Sequence, residues 1–223
     1  MSVRFFGLIP RLPSLSRAEF HDHYRHPHGT HGLHNPGIQS YVQSHRLDTE
    51  FLGADQQRYD AIAEVTFLTV AEGLGLATAE NYLTYLKDDE DYFVDLPNLK
   101  WLYTKDTINE RRASRSVAEE RWNSQRVPTS IKLLQFLDEN DGESSVDESD
   151  LAFSLGAIHF IRSSPIAEVY AETPPAYAAV RELWWPTLHE AHQGIREKYD
   201  SWKALTELSG DSVSLIARAE RFL

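Results

Sequence analysis

Runs of apolar and aromatic residues, bounded by turn-forming residues, predict four strands in the first half of the chain. These runs cover Val3 to Ile9, Ile38 to His45, Tyr59 to Phe67 and Leu99 to Thr104. Each run is short and carries β-branched or aromatic side chains, which favour strands over helices. The pattern therefore predicts a four-stranded sheet.

Two helices are predicted between these strands. Ser16, with Glu19 three positions later, is the sequence signature of a capping box, so a helix should begin there. Pro27 disfavours a helical conformation in the preceding residue and removes an amide donor, so this helix should kink or end near His26. The second helix is predicted over Ala79 to Phe93, where aromatic and polar residues recur at helical spacing.

The second half of the chain repeats the plan of the first half in two places. Ser130 to Asp138 shares its order of serine, β-branched, basic and apolar residues with Ser2 to Pro10. Tyr177 to Trp185 shares Tyr, Ala and Glu at matching positions with Tyr59 to Phe67. Because both pairs occur in the same order along the chain, we expect a duplication.

Strand, helix, strand taken twice gives an antiparallel four-stranded sheet with helices on one face, the ferredoxin-like plan. We expect one such repeat in residues 1–109, a charged connector in 110–127 and a second, degenerate repeat in 128–223. The second repeat should contain a helix over Leu151 to Ile161 and a closing strand over Ser212 to Phe222. Two such sheets can stack or close into a barrel. The predicted fold class is α+β, with two ferredoxin-like repeats fused into one single-chain barrel.

Composition and charge narrow the range of partners. The chain has 223 residues, of which 34 are acidic and 22 basic, and its net charge is −12. Such a surface repels phosphate backbones and anionic lipid, so we expect neither nucleic acid nor membrane as a partner. The absence of cysteine excludes disulfides, thiolate nucleophiles and cysteine-ligated metals. The sequence shows no signal peptide and no long apolar run, so we expect a cytoplasmic protein.

Six of the ten histidines lie between His21 and His34. If Phe20 faces the core, Tyr24 at i+4 and His28 at i+8 lie on the same flank of the helix. His28 is therefore predicted at a helix end, on the buried side and next to Tyr24, where an imidazole could act as acid or base. The alternative is that His28 only supports the helix end through its dipole or a carbonyl hydrogen bond.

The other histidines of this helix are more typical of a solvated face. His23 lies at the edge of the predicted buried flank, His21 about a quarter turn away and His26 on the far side, and a charged helix face is the usual explanation for such residues. A pair of histidines four positions apart, which would suit a metal ion, does not occur. No dinucleotide or Walker motif occurs either. We therefore expect neither a metal nor an organic cofactor.

Two further acid/base candidates lie on the predicted second and third strands. Tyr41 and His45 share one face of the second strand. If that face lines a pocket, His45 could be a second acid or base and Tyr41 an oxyanion or hydroxyl partner. Otherwise His45 ends an exposed strand. Asp60 is either a surface charge or the carboxylate that orients a histidine.

Two aromatic residues are candidates for binding a ligand. On the third strand, Phe67 shares the predicted core face with Val65, whereas Glu64 lies on the opposite face, which we expect to be at the surface. Trp101 lies on the fourth predicted strand, where packing is its commoner role. If it reaches the pocket, it favours an apolar or aromatic ligand.

The same residues carry a family resemblance. The stretches LIPRLPSLSRAEFHDHYRHPHG, PGIQSYVQSHRL, YDAIAEVTF and KDDEDYFVD resemble the EthD family, a branch of the dimeric α+β barrel superfamily. The family pattern has an aromatic residue, usually Trp, four positions before a histidine, and here these are Tyr24 and His28. A glycine that often follows the Asp of the third strand is replaced by Ala61. The resemblance covers roughly residues 4–106, and the second half has no counterpart of Tyr24 and His28, so it implies one site, in the first half.

The resemblance implies a pocket between the sheet and helix layers of an α+β barrel. Because the wider superfamily includes cofactor-free monooxygenases, polyketide cyclases, a muconolactone isomerase and haem enzymes, it does not supply a reaction. We expect a cofactor-independent enzyme of small-molecule catabolism or secondary metabolism. In it, His28, helped by Tyr24, would transfer protons on an apolar or aromatic oxygenated substrate, as a lyase, dehydratase, isomerase or cyclase. The alternatives are a haem- or metal-dependent oxidoreductase and a non-catalytic small-molecule-binding protein, and a homodimer is one option for assembly.

Overall fold

Eight antiparallel strands form one closed barrel, and the helices pack on its outside. The computed structural model describes residues 2–53, 58–114, 116–117, 129–141 and 147–223. The strands are β1 (Val3–Ile9), β2 (Ile38–Arg46), β3 (Ala61–Phe67), β4 (Lys100–Arg111), β5 (Thr129–Leu137), β6 (His159–Pro165), β7 (Ala179–Trp185) and β8 (Val213–Arg221). The α-helices are α1 (Arg17–His23), α2 (Thr30–Gly32), α3 (Val70–Gly75), α4 (Lys87–Phe93), α5 (Glu148–Ser154), α6 (Leu188–Glu197) and α7 (Tyr199–Thr206). Within the described residues, no helix combines the length and the apolar character needed to cross a bilayer.

The strand order is the same in both halves of the barrel. Around the barrel the order is β1, β3, β2, β8, β5, β7, β6 and β4, and β4 pairs with β1 to close it. In each half the first and third strands are therefore adjacent, with the fourth beside the first and the second beside the third. Pairing of β2 with β8 and of β4 with β6 joins the halves, so every strand pairs on both sides. This arrangement removes the open sheet edges that otherwise invite aggregation.

The first predicted helix begins where the sequence indicates. The Ser16 hydroxyl accepts a hydrogen bond from the Glu19 amide, and the Glu19 carboxylate accepts one from the Ser16 amide at 2.8 Å. The predicted break near Pro27 is also present, since His26 is extended, with φ −144° and ψ 121°. A wide helical turn over Tyr24–Gly29 then leads into α2. The break turns the chain so that His28 lies against α4.

Two elements differ from the prediction because partners far away in sequence define them. The helix predicted over Leu151 to Ile161 is wrong, since α5 ends at Ser154 and β6 begins at His159. Gly156, with φ +79°, adopts a backbone conformation that stops the helix. The residues that follow pair with β4 and β7. The strand β4 extends to Arg111 because it pairs with β6. It therefore includes residues 110 and 111, which were predicted to begin the connector. Within that connector, residues 115 and 118–128 lie outside the described residues.

Both faces of the strands are buried, one inside the barrel and one beneath the helices. Apolar residues such as Phe6, Ile62 and Leu134 fill the interior of the barrel. An ionic cluster lies among them, in which the buried Lys132 ammonium contacts the Glu64 and Glu182 carboxylates. The sequence places Glu64 at the surface, and this is wrong, because closure of the barrel covers the face opposite the helices.

The layer between sheet and helices differs between the halves. In the second half it is filled by large side chains that are at most 2% exposed, among them Trp185, Trp202, Leu155 and Ile195. In the first half the apolar residues form two separate clusters instead, one around Phe67 and one around Phe20. A cavity lies within this layer of the first half.

Candidate functional site

The cavity of the first half has a volume of about 370 Å³ and mostly apolar walls. Strands β1 to β4 form one wall with Phe5, Gly7, Ile9, Tyr41, Ala63, Val65, Trp101 and Tyr103. The helical layer forms the other wall, with apolar residues such as Leu86 and Phe93. It also supplies the polar side chains of His28, Asn35 and Glu90. A concave, largely apolar space with a few convergent polar groups is the usual form of a small-molecule site.

His28 is held by a carboxylate. Its Nδ1 lies 2.9 Å from Oδ2 of Asp89, and the other oxygen of Asp89 lies 2.8 Å from Nε2 of His23. Since a carboxylate accepts hydrogen bonds, Nδ1 of His28 carries the proton, and Nε2 is the nitrogen left with a lone pair for the cavity. Although burial acts to raise it, the hydrogen bonds from the two histidines hold the pKa of Asp89 below its ordinary value.

His28 is arranged to accept a proton. Burial lowers its pKa below the ordinary value of 6.5, and the contact with Asp89 offsets this only in part. The imidazole is therefore neutral near pH 7. The aromatic rings of Tyr24 and Phe93 pack against the imidazole at centroid distances of 5.7 and 4.9 Å and fix its orientation.

Glu90 is arranged to donate a proton. It lines the same cavity, and the Tyr82 hydroxyl donates a hydrogen bond to its carboxylate at 3.1 Å. Burial, together with the nearby carboxylates of Asp89 and Asp91, raises the pKa of Glu90 to about 7. A substantial fraction of Glu90 is therefore protonated at neutral pH. The cavity wall thus carries an imidazole whose pKa is lowered and a carboxyl group whose pKa is raised to about 7.

Tyr24 and Tyr41 occupy different positions relative to the cavity. Tyr41 lines it, and its hydroxyl accepts a hydrogen bond from the Gln43 amide at 2.8 Å. The same amide donates to the backbone carbonyl of Tyr24 at 2.7 Å, which ties β2 to the helical segment. Tyr24 is fully buried behind His28 and does not line the cavity. Burial raises its pKa well above the ordinary value, and the neighbouring Tyr41 hydroxyl adds to the rise.

The structure does not place His45 at the cavity or on an exposed strand end. His45 is 3% exposed, and its Nδ1 lies 2.9 Å from Nδ1 of His21. Its Nε2 lies 3.6 Å from the Glu220 carboxylate, and burial lowers its pKa to about 3. Both expectations for His45 are wrong because β8, from the other half, pairs alongside β2 and covers it.

Two of the three histidines expected on the solvated face are partly buried. His21 packs against His45, and His23 binds Asp89, as described above. His26 is exposed, as the sequence predicts, and its Nδ1 lies 2.7 Å from the Thr30 hydroxyl. The helix therefore packs against neighbours on two sides, which its sequence pattern alone does not show.

Asp60 binds arginines and makes no hydrogen bond to a histidine. Its Oδ1 accepts a hydrogen bond from Arg46 at 2.8 Å, and its other oxygen accepts one from the Arg11 amide at 3.3 Å. Asp60 is 5% exposed, so it is not the surface charge expected from its strand pattern either. The carboxylate that orients a histidine comes instead from Asp89 on α4.

The two aromatic candidates for ligand binding, Trp101 and Phe67, differ in their position relative to the cavity. Trp101 lines the cavity and is 51% exposed, which places it at the opening. Phe67 is fully buried in an apolar cluster with Val3 and Tyr41 and does not line the cavity. Phe67 therefore supports the site through packing.

Sequence reasoning missed Asp89 and Glu90, of which the first binds His28 and the second lines the cavity. They lie in the acidic run of Asp88 to Asp91, where periodicity alone does not show which side chains point inward. A signal was present, since Leu86 and Phe93 are seven positions apart and are both buried. Residues 89 and 90 fall between them on the same helix face.

The described ranges of the chain contain no group of three or more histidine, aspartate or glutamate side chains placed to hold a metal ion. The expectation that the protein uses no metal and no organic cofactor stays a prediction.

The closed barrel, with a cavity between its sheet and its helices, defines a protein of the α+β barrel class. Residues 12–97 match the EthD domain, which confirms for this part of the chain the resemblance seen in the sequence. A comparison with curated protein sequences finds no significant match.

Solved structures share the fold at very low sequence identity. A crystal structure of an anthrone oxidase-like protein has a TM-score of 0.58 and 6% identity, over 99% of this chain and 92% of that one. A putative monooxygenase from Fusobacterium nucleatum has a TM-score of 0.56 and 5% identity, over 99% and 94%. A putative chlorite dismutase has a TM-score of 0.50 and 7% identity, over 100% and 96%. At these identities the likeness shows the fold and no more.

Proposed function

We propose that the protein is a small-molecule enzyme that transfers protons on a neutral, apolar or aromatic oxygenated substrate, with no bound cofactor. The observation that carries this proposal is the pairing of His28, held by Asp89, with Glu90 in the wall of one apolar cavity. The expected role of Tyr24 becomes one of support behind His28, because its hydroxyl is buried away from the cavity.

The first step is the removal of a proton from carbon. Nε2 of His28 takes a proton from the carbon next to a substrate carbonyl, while protonated Glu90 gives its proton to the carbonyl oxygen, and an enol forms. If the substrate carries a double bond between its β- and γ-carbons, the enol is a dienol, and return of a proton from His28 to the γ-carbon, with the enol proton going back to Glu90, completes an isomerisation to the conjugated ketone. If a hydroxyl stands β to the carbonyl, Glu90 protonates that hydroxyl instead and water leaves, which is a dehydration. Each placed acid or base contributes roughly 10²- to 10⁴-fold to such a reaction.

Exchange of substrate protons with solvent tests this first step without knowledge of the natural substrate. Ketones such as 1-tetralone and 2-tetralone can be incubated in D₂O, and the loss of their α-proton NMR signals can be followed. The protein is expected to accelerate exchange on the order of 10²-fold over buffer. Exchange at the buffer rate, across ketones of one to three rings, would count against proton transfer at this site.

The rate of exchange should depend on pH through both groups. Glu90 must be protonated to act as an acid, and its pKa is about 7, so the rate should fall as the pH rises above about 7. His28 must be unprotonated, and its pKa is lowered from 6.5, so the rate should fall only on the acid side, below that value. In Glu90→Gln the alkaline decline should disappear and the rate should drop by about tenfold or more. Glu80→Gln, at an exposed position nearby, is the matched control and should leave the profile unchanged.

A second candidate function starts with the same proton removal. The anthrone oxidase-like protein and the putative monooxygenase share the fold, and this cavity places a base in apolar surroundings. A carbanion formed there could react with dioxygen, so that a ring CH₂ group and O₂ give a carbonyl group and water. Oxygen consumption with anthrone distinguishes the two functions, because isomerisation and dehydration consume no oxygen.

The haem alternative fits this cavity poorly. His28 offers a nitrogen ligand, as haem proteins require. Among the described residues, however, the lining contains no lysine or arginine to pair with two propionates, and it places the carboxyl group of Glu90 in the wall. An absorption spectrum of the purified protein checks this, since a haem band would overturn the cofactor-free proposal. Tight ligand binding with no proton exchange would favour the non-catalytic alternative.

We also infer that the two halves are copies of one ferredoxin-like unit. Their shared strand order supports the inference, as do the two pairs of matching sequence stretches. Fragments 1–114 and 129–223, expressed as separate chains, are expected to reassemble into one barrel, which size-exclusion chromatography can detect. Fragments that remain apart would argue against two repeats with boundaries in the connector.

A further inference from the structure

The cavity floor is formed by positions without large side chains. Gly7 on β1 lies directly opposite Ala63 on β3, and on its other side it pairs with Trp101 on β4. Both Gly7 and Ala63 line the cavity. Because neither has a large side chain, the sheet forms a flat part of the cavity wall there. The aromatic pair of Phe5 and Tyr103, with centroids 5.2 Å apart, borders this area at one end.

Packing of the protein against itself does not require the glycine. Gly7 has a negative φ, and a Cβ atom built there would meet its nearest neighbours, Ala63 and the Phe5 ring, at 3.4 Å, an ordinary contact distance. A glycine inside a strand weakens it and often marks a place where a ligand approaches the backbone closely. The space above Gly7 is therefore best explained by an occupant of the cavity.

The charged groups lie on the opposite side. His28 and Glu90 both belong to the helical layer, whereas the strand wall contributes the hydroxyl groups of Tyr41 and Tyr103. Tyr103 donates to the Gly73 carbonyl at 3.2 Å, and Tyr41 accepts from Gln43. A ligand can thus form hydrogen bonds to groups of the helical layer, whereas the face that lies on the sheet meets residues without large side chains and aromatic rings.

The lining also selects against charge. Within the part of the chain that the structure describes, no lysine or arginine lines the cavity, whereas Glu90 adds a carboxyl group. A carboxylate or phosphate ligand would be buried there without a cation, which is costly. The cavity therefore suits a neutral molecule.

We propose that the ligand is a neutral, planar molecule of two or more fused aromatic rings that lies flat on Gly7 and Ala63. A phenol or ketone oxygen at its edge meets His28 and Glu90. The proposal adds a substrate class to the proton-transfer function, and it rests on that function for the roles of His28 and Glu90. Trp101, half-exposed at the opening, covers the outer ring. The cavity volume of about 370 Å³ sets the lower limit on ring number, because a single ring fills only a small part of it.

Binding of three simple probes tests the proposal by isothermal titration calorimetry. 2-Naphthol is expected to bind, phenol to bind at least about tenfold more weakly, and 2-naphthoate to show no binding, because its carboxylate lacks a cation. In Ala63→Leu the added side chain stands on the floor, and the affinity for 2-naphthol should fall about tenfold or more, while that for phenol changes less than about twofold. Ala71→Leu, at an exposed position of α3, is the matched control and should bind all three probes as the wild type does.

The smaller change Gly7→Ala covers the case in which Ala63→Leu does not fold. It adds a methyl group on the same floor without a close contact, so 2-naphthol should bind about threefold more weakly to it, with an unchanged thermal transition. Unchanged 2-naphthol binding in the folded floor variants, or naphthoate binding as tight as naphthol, would overturn the proposal. These outcomes differ from failure of the proton-transfer function, in which naphthol binds as described but no ketone exchanges its protons.

Discussion

Replacing His28 by alanine is expected to lower the rate of ketone proton exchange by at least about 10²-fold. The residue supplies the ring nitrogen that faces the cavity, and Asp89 fixes the proton on the other nitrogen. Binding of a neutral ligand such as 2-naphthol should weaken far less, because most of the cavity wall is apolar and unchanged. The measurement is deuterium exchange into 1-tetralone, paired with calorimetry on 2-naphthol.

Matched variants separate the role of His28 from a general effect of losing a histidine. His34→Ala removes an exposed histidine from the same segment and should leave exchange at the wild-type rate. Asp89→Asn should lower the rate by about tenfold or more, because the amide no longer selects the required tautomer, whereas Asp88→Asn on the exposed side should not. If His28→Ala exchanged protons as fast as the wild type, the base would have to be a different group.

Replacing Lys132 by methionine is expected to lower the free energy of unfolding by about 3–5 kcal/mol. Lys132 is fully buried inside the barrel, where its ammonium contacts the carboxylates of Glu64 and Glu182 and lies 3.6 Å from the centroid of the Trp184 ring. Methionine preserves much of the volume, so the loss comes mainly from two buried carboxylates left with Arg4 as their nearest cation. Urea unfolding followed by circular dichroism measures the change.

An exposed lysine provides the control for this prediction. Lys203 pairs with Glu207 on the surface of α7, and Lys203→Met should leave the urea midpoint nearly unchanged. In the Lys132→Met background, Glu64→Gln should restore part of the lost stability, because it removes one of the unpaired charges. A Lys132→Met protein as stable as the wild type would show that the ionic cluster does not hold the two halves together.

The same cluster makes the barrel sensitive to acid. Although burial acts to raise it, Arg4 and Lys132 hold the pKa of Glu182 at about 2, below its ordinary value of 4.5. The stabilisation from this carboxylate is therefore fully present above about pH 4.5 and is lost as the pH falls towards 2. Arg4 from the first half contacts Glu182 from the second, and Lys132 from the second half contacts Glu64 from the first, so the cluster links the halves across the barrel.

The two halves have diverged in the use of the layer between sheet and helices. In the second half, Trp185 and Trp202 belong to the core that fills this layer, and both are at most 2% exposed. In the first half, Gly7 and Ala63 leave the corresponding face of the sheet bare. The second half therefore completes the barrel, and the apolar cavity between sheet and helices belongs to the first half. The expectation of a single site in the first half stays a prediction.

Features that depend on neighbours in the sequence were determined by the sequence itself. The capping box of Ser16 and Glu19, the break before Pro27 and the span of β1 all follow from residues within a few positions of each other. His28 also lies beside Tyr24, as helical spacing predicts, although the extended His26 interrupts the helix between them. The EthD resemblance rests on the same local patterns.

Only the tertiary structure decided which side chains these local elements meet. Asp89 reaches His28 from 61 positions away, and Lys132 meets Glu64 across 68 positions. His45 is buried because β8 pairs with β2, and Glu64 is buried because the barrel closes. Sequence periodicity reports one buried face for each strand, whereas a closed barrel covered by helices buries two. The acid of the site, Glu90, was likewise invisible within an acidic run until the packing of α4 turned it towards the cavity and burial raised its pKa.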